Sequence, residues 1–298
     1  MIDLCPTASS TTHIAFLRDS FGVPTPGNGR PSIPTGVTIM LRYSALLFAL
    51  ALPGTTLAAD GLDPAATERC VAWMKERPSS APAEVRTVAP DTLCADFTSS
   101  LTSDSRDAFL TQMSAIPAGV TPQVIVRSMG GDVELGMDMG DAILNRKASV
   151  HAYQLCVSSC ANYLFLAAPT RHVMPDSVVL FHGGMVPRMT KLPDVTAEGR
   201  QRLQASIERQ DGFLHRAAVY PPLFEWMDRL NEPDANLMHH CPADRTITLI
   251  QLSDAVLAGI GAPVASNEGP RSQEAVDALV ARYGPAMAVC YWDQPVKR

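Results

Sequence analysis

Several features that identify common classes of protein are missing from this sequence. No two of its seven cysteines are separated by two residues, which argues against thioredoxin-like redox proteins and zinc ribbons. The chain has no internal repeat, and with 46% apolar and 18% charged residues it is neither collagen-like nor disordered in composition. Its 298 residues suffice for one domain with extensions or for two small domains.

An excess of basic residues is also missing. The formal net charge is −6, and removing residues 1–59 leaves 21 Lys and Arg residues against 28 Asp and Glu residues. A negative balance of this kind argues against binding to nucleic acid or to an anionic membrane. We therefore expect no nucleic-acid partner.

A hydrophobic run of the length that spans a membrane, about 20 residues, is absent as well. Residues 1–39 are rich in Pro and polar residues without periodicity, and we predict a leader that is non-structured or mis-annotated. Met40 begins a segment with one basic residue, an apolar stretch over 45–52 and small residues over 56–59. This pattern predicts a cleaved secretory signal at about residues 40–59 and a periplasmic or secreted protein, with a membrane anchor as the alternative.

Six cysteines follow the predicted signal: Cys70, Cys94, Cys156, Cys160, Cys241 and Cys290. An even number in an oxidising compartment favours disulfides, although six cysteines allow 15 pairings. Their order along the chain suggests Cys70 with Cys94 and Cys241 with Cys290. Cys156 and Cys160 could bridge across the residues between them, or they could act as a redox pair.

The periodicity of residues 122–265 predicts an α/β domain with a parallel sheet. Strands are predicted at 123–127, 149–155 and 178–181, and helices follow the first two, at 135–143 and 161–168. Strands that alternate with helices in this way are typical of parallel sheets. We divide the rest of the mature chain into an N-terminal lead-in over 60–121 and a C-terminal extension over 266–298.

Chemically useful residues follow each of the three predicted strands. Gly130-Gly131 follows the first, Ser158-Ser159 the second, and His182 ends the third. The carboxyl ends of parallel strands form one edge of a sheet, so these residues should lie together. Hydrogen-bond donors, a hydroxyl nucleophile and a base are what acyl transfer requires.

In these residues the chain resembles the Clp-type serine proteases and their exported relatives, within the Clp protease/crotonase superfamily. The shared pattern is Ser128-Met129-Gly130-Gly131, then Ser159 opening a buried helix, then Pro175-Asp176-Ser177 before a strand that ends in His182. The resemblance covers roughly residues 120–260. It implies a Clp protease/crotonase-like fold with a parallel sheet of repeated β-β-α units.

The resemblance also implies roles for individual residues. Ser159 would be the nucleophile, with Ser158 as the alternative, and His182 would be its base. The backbone amides of the Gly130-Gly131 turn and of Cys160 would form the oxyanion hole. An acid is expected before the helix that contains Ala255 and Gly259, and Asp244 lies about three residues farther back than the pattern places it.

Two functions follow from this reading. The first is a serine hydrolase of the peptidase type in the cell envelope, with a peptide or protein substrate, no cofactor, no metal and no ATPase partner. Assembly as a homo-oligomer is compatible with this function. The second is a catalytically inactive binding or scaffold protein with the same fold. In that case the serines would only cap a helix and His182 would only end a strand. An acyl-CoA enzyme is disfavoured because its cofactor is cytoplasmic.

Overall fold

The computed structural model describes residues 61–220, 222–229, 241, 248–283 and 287–296. The predicted leader and signal peptide lie outside these ranges. The described residues from Leu62 onward belong to one compact unit. Within it, the described chain folds as an α/β structure with a nine-stranded, mostly parallel sheet.

Seven α-helices and nine strands are described, together with a π-helix at Cys160–Phe165 and a 3-10 helix at Pro187–Lys191. The helices are α1 (Pro64–Glu76), α2 (Ser103–Ala115), α3 (Val133–Arg146), α4 (Ala197–Arg216), α5 (Leu223–Arg229), α6 (Asp254–Gly259) and α7 (Gln273–Tyr283). The strands are β1 (Glu84–Ala89), β2 (Thr92–Phe97), β3 (Gln123–Ser128), β4 (Ser149–Val157), β5 (Thr170–Val173), β6 (Val178–Phe181), β7 (Leu249–Leu252), β8 (Ser266–Asn267) and β9 (Val289–Trp292).

Side-chain caps explain where several helices begin. Asp63, Thr102, Asp132, Thr196 and Ser253 each accept a hydrogen bond from a backbone amide in the first turn that follows. Such caps satisfy amides that have no partner within the helix.

The strands are arranged in the order β1-β2-β3-β4-β6-β7-β9, while β5 pairs with β4 and β8 pairs with β5. The expectation of a wholly parallel sheet is corrected at two places, because β1–β2 and β6–β7 are antiparallel. In the first pair Ala89 lies opposite Thr92, so only two residues connect the strands. A connection this short can join only antiparallel neighbours.

The three strands and two helices predicted for the 122–265 segment are confirmed, except that the helix after β4 is π-helical where an α-helix was expected. The sheet also extends beyond that segment. β1 and β2 come from the lead-in, and β8 and β9 come from the C-terminal extension. Both segments therefore contribute strands to the same sheet as the residues between them.

Helices cover both faces of the sheet. Val124 and Val126 of β3 belong to the main core, whereas Ile125 between them packs in a smaller cluster with Met74 of α1. Burial on both faces accounts for the continuous apolar runs of the central strands. It also leaves their ends as the accessible part of the sheet.

Three disulfides join Cys70 to Cys94, Cys156 to Cys160, and Cys241 to Cys290. The predicted pairings are thus confirmed. They indicate an oxidising compartment outside the cytoplasm. In the described part of the chain, no helix is both long enough and apolar enough to cross a bilayer.

Candidate active site

The turn between β4 and the π-helix holds the serine pair. Ser158 has a φ of 58°, in the left-handed region that residues other than glycine seldom adopt. Its backbone is held on both sides, because its N–H donates to Leu180 O at 2.9 Å and its C=O accepts from Asn162 N at 2.8 Å. Uncommon conformations that the surroundings hold in this way are frequent at functional sites.

Ser158 and His182 form a direct hydrogen bond. The distance from Ser158 Oγ to His182 Nε2 is 2.6 Å. The other ring nitrogen, Nδ1, is hydrogen-bonded to the carbonyl oxygen of Gly183. A carbonyl oxygen can only accept, so Nδ1 carries the proton and Nε2 accepts from the serine hydroxyl. This is the tautomer that a general base needs.

Ser159 has a different partner. Its side chain is 1% exposed, and its Oγ donates to Gly131 O at 2.7 Å. The preference for Ser159 over Ser158 as the partner of His182 is therefore corrected. The left-handed backbone at Ser158 turns that hydroxyl toward β6, while the next residue already enters the helical conformation and points its hydroxyl toward β3.

The glycine turn after β3 packs directly against the serine turn. Gly130 has a φ of +84°, and a Cβ built there would lie 2.6 Å from Ser158 Cβ and 2.6 Å from Val157 O. Gly131 has a φ of +144°, and its Cβ would lie 2.7 Å from Leu101 N. Side chains at these two positions would overlap their neighbours, so glycine is required at both.

The orientation of one peptide unit in this turn suits an oxyanion hole. Leu101 N donates to Gly130 O at 3.1 Å. Because the C=O and N–H of a trans peptide point in opposite directions, the N–H of Gly131 is directed away from Leu101. On the other side, Ser159 N lies 2.8 Å from the Cβ position of Gly130. The amide nitrogens of Gly131 and Ser159 thus both adjoin Gly130, whose Cβ position lies 2.6 Å from Ser158 Cβ.

Cys160, expected from the sequence to supply an oxyanion amide, lies one residue farther along the helix than the position that Ser158 requires. It is the first residue of the π-helix, and its side chain forms the disulfide with Cys156, with Cα atoms 5.2 Å apart. The disulfide therefore encloses both serines in a short covalent loop. Both of its cysteines are fully buried.

Two residues that sequence reasoning missed hold the segment around His182. Asn162 is fully buried and its Nδ2 donates to His182 O at 3.2 Å. Gln210 of α4 is also buried, and its amide exchanges two hydrogen bonds of 2.9 Å with the backbone of Met185. Gln210 Oε1 also accepts from the hydroxyl of Tyr163 at 2.8 Å, and burial raises the pKa of that phenol, which keeps it protonated.

A sequence signal for Gln210 exists. Leu203, Ile207 and Leu214 form the buried stripe of α4, and Gln210 falls within that stripe. A polar side chain in an apolar stripe requires a hydrogen-bond partner, since an unpaired buried amide is unfavourable by about 1–3 kcal/mol. The position could have been identified as a polar contact, although its partner could not.

The remaining predicted site residue, Asp244, lies outside the described residues. Within the described ranges, no cluster of three or more His, Cys, Asp or Glu side chains is arranged to hold a metal ion. Two surface clefts of about 390 Å³ and 490 Å³ are lined by other parts of the chain, and neither includes Ser158 or His182. The pair instead lies partly exposed at the carboxyl ends of β4 and β6.

A hydroxyl bonded to a basic imidazole nitrogen, next to two backbone amides, is an arrangement that can carry out nucleophilic attack on an acyl carbon. Comparison with protein-family models finds no match to this chain, and comparison with curated proteins finds none either.

Proposed function

We propose that this protein is a serine hydrolase that acts outside the cytoplasm, with Ser158 as nucleophile and His182 as general base. The observation that carries the proposal is the 2.6 Å hydrogen bond between Ser158 Oγ and His182 Nε2. In the reaction, Ser158 Oγ forms a bond to the acyl carbon while its proton passes to Nε2. His182 then gives the proton to the leaving group as the bond between that group and the acyl carbon breaks. In the second half of the cycle water attacks the acyl-serine, its proton passes to Nε2 and then to Ser158 Oγ, and the ester bond breaks to release the acid.

The amides of Gly131 and Ser159 would stabilise the negative charge that develops on the carbonyl oxygen. Backbone donors suit this task because they are already oriented before the reaction begins. The second donor is the amide of the residue that follows the nucleophile. With Ser158 as nucleophile this is the amide of Ser159, whereas with Ser159 as nucleophile it would be the amide of Cys160.

The finer fold assignment, a Clp protease/crotonase-like domain, belongs to this proposal. It is supported by the order of the motifs on the observed elements: β3 leads to the glycine turn, β4 to the serine turn, and β6 to His182. On the same resemblance we propose a peptide or protein substrate, a periplasmic location, the lack of an ATPase partner and the formation of a homo-oligomer. Asp244 remains the proposed acid.

Labelling of the mature protein with a fluorophosphonate probe tests the proposal. We expect the wild type to be labelled, and Ser158→Ala and His182→Ala to lose labelling, because one lacks the nucleophile and the other lacks the base. Ser177→Ala is the control, since Ser177 is a buried serine whose hydroxyl bonds to Pro175 O and Gln154 N and not to His182. It should be labelled like the wild type.

The alternative function predicts a different result. Failure of the folded wild type to react would contradict a serine hydrolase and would favour the binding or scaffold protein. Equal labelling of the wild type and Ser158→Ala would show that another residue reacts with the probe.

A further inference from the structure

The hydroxyl of Ser159 takes part in no step of the proposed reaction, yet it is almost completely buried and forms a hydrogen bond. Ser159 Oγ is a donor to Gly131 O at 2.7 Å. It makes no capping hydrogen bond to the π-helix that begins at the next residue, so helix capping does not explain its hydroxyl. The contact instead crosses from the β4 turn to the β3 turn.

Within the glycine turn, Gly130 N donates to Ser128 Oγ at 2.9 Å, which holds the peptide unit before Gly130 but neither of the two peptide units that flank Gly131. Gly130 and Gly131 have φ angles of +84° and +144°, and glycine has a broad choice of backbone conformations. The direction of the Gly131 amide therefore depends on hydrogen bonds from outside the turn. Leu101 N holds the carbonyl before this amide, at Gly130, and Ser159 Oγ holds the carbonyl after it, at Gly131 itself.

We infer that the hydroxyl of Ser159, as distinct from its backbone amide, has a positioning role: it orients the Gly131 amide toward the oxyanion that forms when Ser158 attacks the acyl carbon. The inference rests on the proposed serine-hydrolase function. Because Ser158 and Ser159 are consecutive, the same turn presents the nucleophile and holds the Gly131 amide, which stabilises the oxyanion that the attack of Ser158 produces. Adjacent hydroxyls thus have separate roles: one reacts and the other holds the glycine turn at a constant distance from it.

The fluorophosphonate reaction separates this role from general stability when its maximal rate, kinact, and its half-saturation constant, KI, are measured independently. Loss of one oxyanion donor typically lowers a rate by about 10²–10³-fold, and loss of its orientation should be smaller, about 10- to 100-fold. We expect Ser159→Ala to lower kinact by that factor while KI changes by less than about threefold, because only the charged state needs the donor.

The pH profile adds a measurement that a purely structural role would not predict. The bond between Ser158 and His182 is intact in Ser159→Ala, so the apparent pKa in the pH dependence of kinact should equal that of the wild type. Ser159→Thr retains the hydroxyl and should recover most of the wild-type kinact. Ser177→Ala again serves as the buried-serine control, with wild-type kinact and KI.

The outcomes distinguish this inference from the function on which it rests. An unreactive wild type would reject the hydrolase itself. A reactive wild type with Ser159→Ala indistinguishable from Ser177→Ala would overturn the positioning role and leave the hydrolase in place. A shifted pH profile in Ser159→Ala would also overturn it, because the effect would then act through His182. Should Ser159→Ala fail to fold, a wild-type kinact in Ser159→Val, which fills the site without a hydroxyl, would reject the inference.

Discussion

At Gly130 the absence of a side chain allows two turns to touch. A Cβ at this position would lie 2.6 Å from both a side-chain carbon and a backbone oxygen of the serine turn. Separations below 3 Å between such atoms cannot be relieved by rotating a side chain alone. The glycine turn would have to move away from Ser158, and with it the Gly131 amide.

Replacing Gly130 with Ala should therefore abolish fluorophosphonate labelling and lower the free energy of unfolding. Gly119→Ala is the matched control, because Gly119 has a nearly identical φ of +85° and, its two chain neighbours aside, no atom lies within 4 Å of its Cβ position. The control should lose only the backbone contribution, about 1–2 kcal/mol, and keep its labelling. Denaturant unfolding and labelling of the folded fraction measure the two effects. Equal results for both variants would contradict the close contact between the turns.

At the scale of elements, the site depends on the junction between β4 and the π-helix. The Cys156–Cys160 disulfide closes a loop of very few residues, whereas Cys70–Cys94 is a bridge between α1 and β2 with a sequence separation of 24. In the chain-entropy account of disulfides, the longer loop contributes more stability, about 3.5 kcal/mol against about 2 kcal/mol. Only the shorter loop contains Ser158.

Each of these two disulfides can be removed by a pair of Cys→Ala substitutions. The double variant with the smaller loss in free energy of unfolding should show the larger loss in labelling rate. Cys156→Ala with Cys160→Ala should cause the smaller loss in free energy of unfolding but the larger loss in labelling rate, because the serine turn loses its covalent constraint. Cys70→Ala with Cys94→Ala should be the less stable variant and should label normally in its folded fraction. If the variant that loses more free energy of unfolding also loses more labelling rate, the short disulfide has no separate role at the site.

At the scale of the whole molecule, strands from distant parts of the sequence form one sheet. β2 of the lead-in pairs with β3, and β9 near the C-terminus pairs with β7. The disulfide between Cys241 and Cys290 then joins β9 to a residue far from it in sequence. Disulfides of this kind form and persist only where the surroundings are oxidising.

In such surroundings the protein should carry no free thiol. We expect the mature chain, isolated from the periplasm or medium, to begin near Asp60 and to react with an alkylating reagent at none of its six cysteines before reduction and at all six after unfolding and reduction. Intact-mass spectrometry reads both the starting residue and the number of alkyl groups. Retention of residues 40–59 would point to an anchor, and free cysteines would contradict the oxidised state.

Short-range patterns in the sequence were sufficient for the elements around the site. The apolar runs that form β3, β4 and β6, the glycines after β3 and the histidine after β6 are all local features, and local propensity and periodicity determine them. β1 and β2 were missed because neither has the apolar run that marks β3: β2 reads Thr-Leu-Cys-Ala-Asp-Phe, and its Asp96 is buried only because Arg77 and Arg127 pair with it across the fold. The two-residue β8 is too short for any local pattern and is a strand only beside β5.

By itself, the sequence determined that two adjacent serines open a buried helix opposite a glycine turn and a histidine, and it indicated how the cysteines pair. Only the tertiary structure decided which serine meets His182. That choice depends on the left-handed backbone at Ser158, which the contacts with Leu180 and Asn162 hold in place. Long-range packing likewise decided that Gln210 supports the loop after His182, since the two lie on elements that no local pattern brings together. Ser158 and Ser159 are chemically identical, and only the direction of the folded backbone distinguishes one hydroxyl from the other.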